Sequence, residues 1–79
     1  MVSIKSIPIA LFRKFLLSQG CEHKSTSGGH EKWSRKGLPR PVIIQNHGSK
    51  TIEMHIVNSN LKTLNLSRKD LEDWLKENA

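Results

Sequence analysis

Glycine and proline divide the middle of this chain into segments that are too short for one long helix. All five glycines and two of the three prolines lie between residues 20 and 48. Short stretches of alternating polar and apolar residues separate them, a pattern that is typical of strands joined by tight turns. The segments 21–26, 30–35 and 41–45 therefore predict three strands of an antiparallel meander.

On either side of this meander, apolar residues recur at spacings of three and four, which predicts amphipathic helices over 8–18 and 52–64. In the first helix, Arg13 and Lys14 are expected to point away from the core. The residues expected to face the core are Ile9, Phe12, Phe15, Leu16, Met54, Val57, Leu61 and Leu64.

A third helix is predicted from Ser67 to the C-terminus, because Asp70 completes a capping box three residues later. Trp33 and Trp74 are predicted to pack in the core and not to stack on nucleic-acid bases. The sequence thus predicts a single α+β domain over 1–79, with a helix, three antiparallel strands, a helix and a C-terminal helix. In this arrangement the helices cover one face of the sheet and leave the other exposed. The element order is that of the double-stranded-RNA-binding domain.

Positive charge is concentrated in the first fifty residues. The whole chain has 13 Lys and Arg against 7 Asp and Glu, a net charge of +6. Residues 1–50 hold nine of these cations against two Glu, a net +7, and residues 51–79 hold four against five acids, a net −1. Such an excess indicates a polyanionic partner, nucleic acid above all. The small size favours a shallow surface site over a deep pocket.

The single cysteine and the apolar segments bear on the compartment. Cys21 has no second cysteine with which to form an internal disulfide, which fits a reducing cytoplasm. The apolar stretch 7–17 is interrupted by Arg13 and Lys14 and is too short to span a bilayer. We therefore expect a cytoplasmic protein with neither a signal peptide nor a membrane anchor.

The potential metal ligands do not form a familiar pattern. Cys21, His23, His30 and His47 match no spacing typical of zinc sites, and no cluster of carboxylates suits magnesium. The sequence therefore predicts neither a metal nor a cofactor. His23 and His55 are expected to face solvent.

The segment from Gly20 to His47 resembles the HicA toxins, which are mRNA interferases of bacterial toxin–antitoxin pairs. The resemblance lies in a helix that ends at a glycine, a glycine turn into a histidine, and a basic strand followed by an apolar one, namely Gly20, Gly28-Gly29-His30, 32–35, 40–44 and His47. It continues through the second predicted helix into the third. The family usually has Ser or Thr where this chain has Gly29, and a proline where it has Gln45.

The resemblance implies a ribosome-independent endoribonuclease, the toxin of a type II toxin–antitoxin system, that cleaves mRNA with His30 as its catalytic residue. It also implies a HicB-type antitoxin as the neutralising partner. The chemistry suits the residues, because an imidazole with a pKa of about 6.5 transfers protons near neutrality and the RNA 2′-hydroxyl is a built-in nucleophile. His47 is a candidate for the second proton-transfer residue. The residues expected to bind RNA are Lys24, Gly28, Gly29, Lys32, Arg35, Lys36 and Arg40.

Two other functions fit parts of the pattern. A double-stranded-RNA-binding module, or an inactivated relative of the toxins, would explain the charge and the topology without any cleavage. A DNA-binding regulator could use the last two helices as a helix-turn-helix, but residues 51–79 are net acidic where a recognition helix is usually basic.

Overall fold

The elements follow the predicted order, with one addition. The computed structural model describes residues 5–46, 48 and 50–78. Along this part of the chain lie β1 (Ser6–Pro8), α1 (Ile9–Ser18), β2 (Glu22–Ser27), β3 (His30–Ser34), β4 (Val42–Gln45), β5 (Thr51–Glu53), α2 (Met54–Thr63) and α3 (Arg68–Asn78). The predicted α+β class and the helix, three-strand, helix order of the double-stranded-RNA-binding domain are confirmed.

The three-stranded sheet is the predicted antiparallel meander, with the strand order β2-β3-β4. Gly28 and Gly29 form the two-residue connection between β2 and β3, and their φ angles are 57° and 82°. Positive φ at both central residues is the signature of a type I′ turn, whose twist matches that of the flanking strands. Because glycine lacks a Cβ, it adopts this conformation without steric strain.

The strand β3 alternates between the two faces of the sheet as the sequence predicts. Glu31 and Trp33 are buried, whereas His30 and Lys32 are exposed. The opposite residues of β4 repeat the pattern, so the buried face of the sheet is the one against which the helices pack. The other face is open to solvent along these strands, as predicted.

The core joins the buried sheet face to the apolar stripes of the helices. Every residue predicted to face the core from the first two helices is buried, and Leu71 of α3 is fully buried. Trp74 packs edge-on against Phe15, with the ring centroids 5.4 Å apart. Both tryptophans therefore lie in or against the core, as predicted.

A second, two-stranded sheet was not predicted. β1 and β5 pair antiparallel, with Ile7 opposite Ile52, and the predicted helix over 52–64 begins at Met54 because the residues before it form β5. The first amides of α1 and α2 extend this pairing. Ile9 N–H donates to the Lys50 carbonyl at 2.9 Å, and Met54 N–H donates to the Lys5 carbonyl at 3.0 Å. Strands of three residues are too short to show a period, and their pairing spans most of the sequence.

The helices α1 and α2 end in the same way. After α1, Cys21 N–H donates to the Leu16 carbonyl at 3.0 Å, and after α2, Leu66 N–H donates to the Leu61 carbonyl at 2.8 Å. These are the six-to-one bonds of Schellman motifs, which need a residue of positive φ just past the helix. Gly20, at 83°, and Asn65, at 60°, supply it. The predicted capping box at α3 is also present, since Ser67 N–H donates to the Asp70 carboxylate at 2.8 Å.

The prediction for Arg13 was wrong. Lys14 is exposed, as expected, but the Arg13 side chain is only 39% exposed and forms an ion pair with the buried Glu31. The helical pattern placed Arg13 beside the apolar stripe, where a long side chain reaches the sheet underneath. Its guanidinium is thus directed onto the sheet and does not extend into solvent as Lys14 does.

None of the helices in the described residues is both long enough and apolar enough to cross a bilayer.

Candidate functional site

His30 is the first residue of β3, immediately after the type I′ turn, and its side chain lies on the open face of the sheet. Its cross-strand neighbours are Ser27 of β2 and Gln45 of β4. Directly opposite residues of antiparallel strands lie about 5 Å apart with side chains on the same face. The turn therefore fixes the backbone of His30 while the imidazole remains accessible to a large substrate.

Lys32 follows His30 on the same face. It lies between Ser25 of β2 and Ile43 of β4 in the register, and it is exposed. The strand rise places the Cα atom of Lys32 about 7 Å from that of His30. The open face therefore presents an imidazole and an ammonium group side by side, with short polar residues at one edge.

Lys24, predicted to bind RNA, lies in an irregular part of β2. The register shifts between His23 and Ser25, so Lys24 is the extra residue of a bulge. Its ammonium lies 3.3 Å from the Glu22 carboxylate, and both side chains are more than half exposed. Lys24 thus stands near the open face with part of its charge offset by Glu22.

Arg35 is placed away from His30. One terminal nitrogen of its guanidinium donates to the Gln19 carbonyl at 2.6 Å, and the other donates to the Leu64 carbonyl at 3.4 Å. These are the C-cap carbonyls of α1 and α2, where helix dipoles favour a cation. The structure thus gives Arg35 a part in holding the two helix ends together, and its predicted contact with RNA stays a prediction.

Two more of the predicted RNA-binding residues follow β3. Lys36 is exposed in the turn after that strand. Arg40 precedes β4, and its Nε donates to the Thr63 hydroxyl of α2 at 3.2 Å. The structure therefore places Arg40 at the seam between β4 and α2, while Gly28 and Gly29 lie beside His30.

The prediction for His47 as a second proton-transfer residue falls outside the described residues. The residue before it is placed: Asn46 N–H donates to the Gly29 carbonyl at 2.7 Å, which ties the end of β4 to the glycine turn.

A buried carboxylate lies under the site, and sequence reasoning did not identify its role. Glu31 is 4% exposed, and it accepts hydrogen bonds from Arg13 Nε at 3.0 Å, from Trp33 Nε1 at 3.1 Å and from the Asn46 side chain. A second guanidinium nitrogen of Arg13 also binds it, so the pair is bidentate. These contacts connect α1, β3 and the residue after β4 directly beneath His30. The strand alternation that buries Trp33 also buries Glu31, and a buried carboxylate needs a cation. This alternation is the feature of the sequence from which a buried ion pair of Glu31 could have been predicted.

The hydrogen bonds from Arg13 lower the pKa of Glu31 to about 2, against the opposing effect of burial. Those from Trp33 and Asn46 act in the same direction. Glu31 is therefore a permanent anion near neutrality, and its charge is matched by Arg13.

The cysteine and the three histidines that the structure describes do not form a metal-binding cluster. Burial raises the pKa of the Cys21 thiol, which keeps it protonated. His23 and His55 are exposed, as predicted, and His23 packs edge-on against Trp33 on the opposite face of the sheet from His30. Within the described residues, no three His, Cys, Asp or Glu side chains are grouped so that they could hold a metal ion.

Comparison with known proteins gives a family. A profile described as the HicA toxin of bacterial toxin–antitoxin systems matches residues 12–66, which are 55 of the 79 residues. No curated protein matched the chain, and no solved structure matched it. The match runs from α1 through the sheet and α2, and it includes His30, Lys32 and the buried Glu31. The chain therefore belongs to the HicA family of bacterial toxins.

Proposed function

We propose that this chain is the toxin of a type II toxin–antitoxin system, an endoribonuclease that cleaves mRNA in the cytoplasm independently of the ribosome and of metal ions. His30 is its catalytic histidine, and a HicB-type antitoxin neutralises it. The observation that carries the proposal is the position of His30, which is exposed on the open face of the sheet directly after a type I′ glycine turn, with Lys32 on the same face. The family gives the toxin role, and this geometry supports the reaction.

The reaction that suits such a face is internal transesterification of RNA. His30 takes the proton from a 2′-hydroxyl, the 2′-oxygen attacks the adjacent phosphorus, and the bond from phosphorus to the 5′-oxygen breaks. The products are a 2′,3′-cyclic phosphate and a 5′-hydroxyl, which receives its proton from a second acid, either His47 or water. Lys32 stabilises the charge that develops on the phosphorane, and the backbone at Gly28 and Gly29 allows close approach of the phosphate.

Replacing the histidine tests the proposal directly. We expect His30→Ala to abolish RNA cleavage and growth arrest while its thermal unfolding matches that of the wild type, because the side chain is exposed. His23→Ala is the matched control, since His23 is also an exposed histidine of the sheet but faces the other side. A His30→Ala protein that still cleaves RNA at the wild-type rate would refute the assignment.

The source of the nucleophile gives an independent test. RNA with 2′-O-methyl groups should resist cleavage, because it has no free 2′-hydroxyl, and a chelator should leave the rate on ordinary RNA unchanged. Inhibition by the chelator would point instead to a metal-activated water. Tight RNA binding without any cleavage products would favour the simple binding module, and duplex DNA binding that RNA does not compete would favour a DNA-binding regulator.

A further inference from the structure

A cleft of about 390 Å³ separates β4 from α2 and opens beside the face that carries His30. It is lined on the strand side by Arg40, Pro41, Ile43 and Gln45, and on the helix side by residues that include Ser59 and Asn60. A volume of this order lies in the range of about 300–1,000 Å³ typical of small-molecule sites. The proposed reaction assigns it no role.

The register connects this cleft to the candidate site. Gln45 lies opposite His30, and Ile43 lies opposite Lys32, so the strand wall of the cleft is the direct continuation of the His30 face. One strand spacing, about 5 Å, separates the histidine from this wall. A nucleotide that adjoins a phosphate at His30 is therefore within reach of the mouth of the cleft.

The cleft is preformed, because side chains fasten its two walls together. Asn60 is 7% exposed, and its side-chain amide donates to the Ile43 carbonyl at 2.9 Å and accepts from the Ile43 N–H at 3.4 Å. At one end, the bond from Arg40 to Thr63 joins the segment before β4 to the last turn of α2. The walls do not need to rearrange before a ligand enters, which lowers the cost of binding.

The lining has the chemistry of a nucleobase site. Ile43, Ile56 and Pro41 supply an apolar surface, while Gln45 and Ser59 supply groups that both donate and accept hydrogen bonds. Arg40 adds a cation at one end of the cleft. No acidic side chain of the described residues lines it. At its rim, the Glu53 carboxylate lies 3.4 Å from the imidazole of His55. Flat bases with polar edges, joined to a polyanionic backbone, fit this combination.

We propose that the cleft between β4 and α2 binds the base of one unpaired nucleotide next to the phosphate that reacts at His30, and that it thereby contributes to the sequence preference of cleavage. This inference rests on the proposed ribonuclease function. It identifies the substrate as single-stranded at this point, because a paired base would not enter the cleft.

Binding is tested without cleavage by NMR titration of the full-length protein with 2′-fluoro trinucleotides, which lack the nucleophile. A trinucleotide with a base at its central position should shift the signals of the α2 wall, namely the amides of Ile56 and Ser59 and the side-chain amide of Asn60. The same trinucleotide with an abasic central residue should shift signals of the His30 face, including its neighbours on β4, but not these three. Equal shifts from both, or no shift at the cleft while the His30 face responds, would overturn the inference.

Filling the cleft tests its role in cleavage. Ser59 is exposed on α2, so Ser59→Trp should fold normally and occupy the cleft. We expect the KM for RNA to rise about tenfold, which corresponds to loss of one base contact, and the preference at one position near the cut to weaken. Ser18→Trp is the control, because Ser18 is an exposed residue at the end of α1 and is not among the residues lining the cleft.

The outcomes separate this inference from the proposed function. If the wild type does not cleave RNA but the base-dependent shifts appear, the ribonuclease proposal fails and base binding stands. If cleavage depends on His30 while Ser59→Trp leaves both KM and sequence preference unchanged, the cleft inference fails alone. A Ser59→Trp toxin that cleaves normally but escapes the antitoxin would assign the cleft to the protein partner and likewise overturn the inference.

Discussion

At the scale of single residues, the carboxylate of Glu31 connects three separate parts of the chain near the site. It joins the guanidinium of Arg13, the indole of Trp33 and the amide of Asn46 beneath the strand that carries His30. Loss of the Arg13 partner would destabilise the fold, because an unpaired buried charge is costly. The strand that carries His30 is thus supported from its buried side by this ion pair and its hydrogen bonds.

The ion pair of Glu31 with Arg13 predicts how the free energy of unfolding changes at acid pH. The folded state holds the pKa of Glu31 at about 2, below its ordinary value of 4.5, so folding favours the ionised form. The stabilisation is therefore complete above about pH 4.5 and is lost as the pH falls toward 2. A shift of this size corresponds to at most about 3 kcal/mol.

Chemical denaturation at a series of pH values, with Glu31→Gln beside the wild type, measures this loss. The difference in the free energy of unfolding between the two proteins should shrink as the pH falls from 5 toward 2. Glu22→Gln is the control, because Glu22 belongs to an exposed ion pair of small energetic value. A difference for Glu31→Gln that is independent of pH would contradict the assigned titration.

At the scale of elements, Arg35 binds the ends of two helices that are far apart in sequence. Its guanidinium donates to the C-cap carbonyls of α1 and α2, each of which also carries a Schellman motif. The two helices begin at the ribbon of β1 and β5 and end at this one side chain. The β1–β5 ribbon therefore joins α1 and α2 at their first residues, and Arg35 joins them at their last.

We expect Arg35→Ala to lower the free energy of unfolding by about 2 kcal/mol, because it removes two charge-assisted bonds to helix C-termini. Arg35→Lys should recover little of it, since one ammonium cannot reproduce a planar fork that reaches two carbonyls. Thermal or denaturant unfolding measures both variants. Lys36→Ala, at the exposed neighbouring position, should stay within about 0.5 kcal/mol of the wild type. Equal effects at the two positions would show that Arg35 does not fasten the helices.

The elements themselves were largely predictable from the sequence, whereas their polar connections were not. Apolar periodicity and the glycine turns located α1, α2 and the three strands of the meander to within about two residues, because each of these signals is local. The pairing of β1 with β5 and the contact of Arg13 with Glu31 depend on residues distant in sequence. The position and face of His30 were predicted, but the cleft formed by β4 and α2 was not, because it appears only when the elements are assembled.

At the scale of the whole molecule, the three-stranded sheet lies in the positively charged part of the chain. Residues 1–50 carry a net +7 and contain α1 and the whole of this sheet, whereas residues 51–79 carry a net −1 and contain β5, α2 and α3. The open sheet face with Lys32 belongs to the positive part. A polyanion should therefore approach this face first, drawn by the long-range field of the molecule.

Salt dependence of RNA binding tests this division. For single strands, the slope of log K against log salt is about −0.7 for each phosphate neutralised. Lys32→Gln should reduce the magnitude of the slope by about 0.7, because it removes one phosphate contact. Lys69→Gln, in the net-acidic part, removes the same charge and should leave the slope unchanged. Fluorescence anisotropy with 2′-fluoro RNA over a salt series measures both, and identical slopes for the two variants would argue against binding at the sheet face.

The bond from the Asn60 amide to the backbone of Ile43 also decides how this sheet behaves toward other polypeptides. The outer N–H and carbonyl of Ile43 are occupied by a side chain of the same molecule, and Pro41, two residues earlier along the strand edge, has no N–H to offer. The opposite edge, β2, is exposed along its whole length but carries a bulge and a lysine. Because one edge of the sheet is blocked at Ile43 and the other is interrupted by a bulge, repeated edge-to-edge pairing of copies through this sheet is disfavoured.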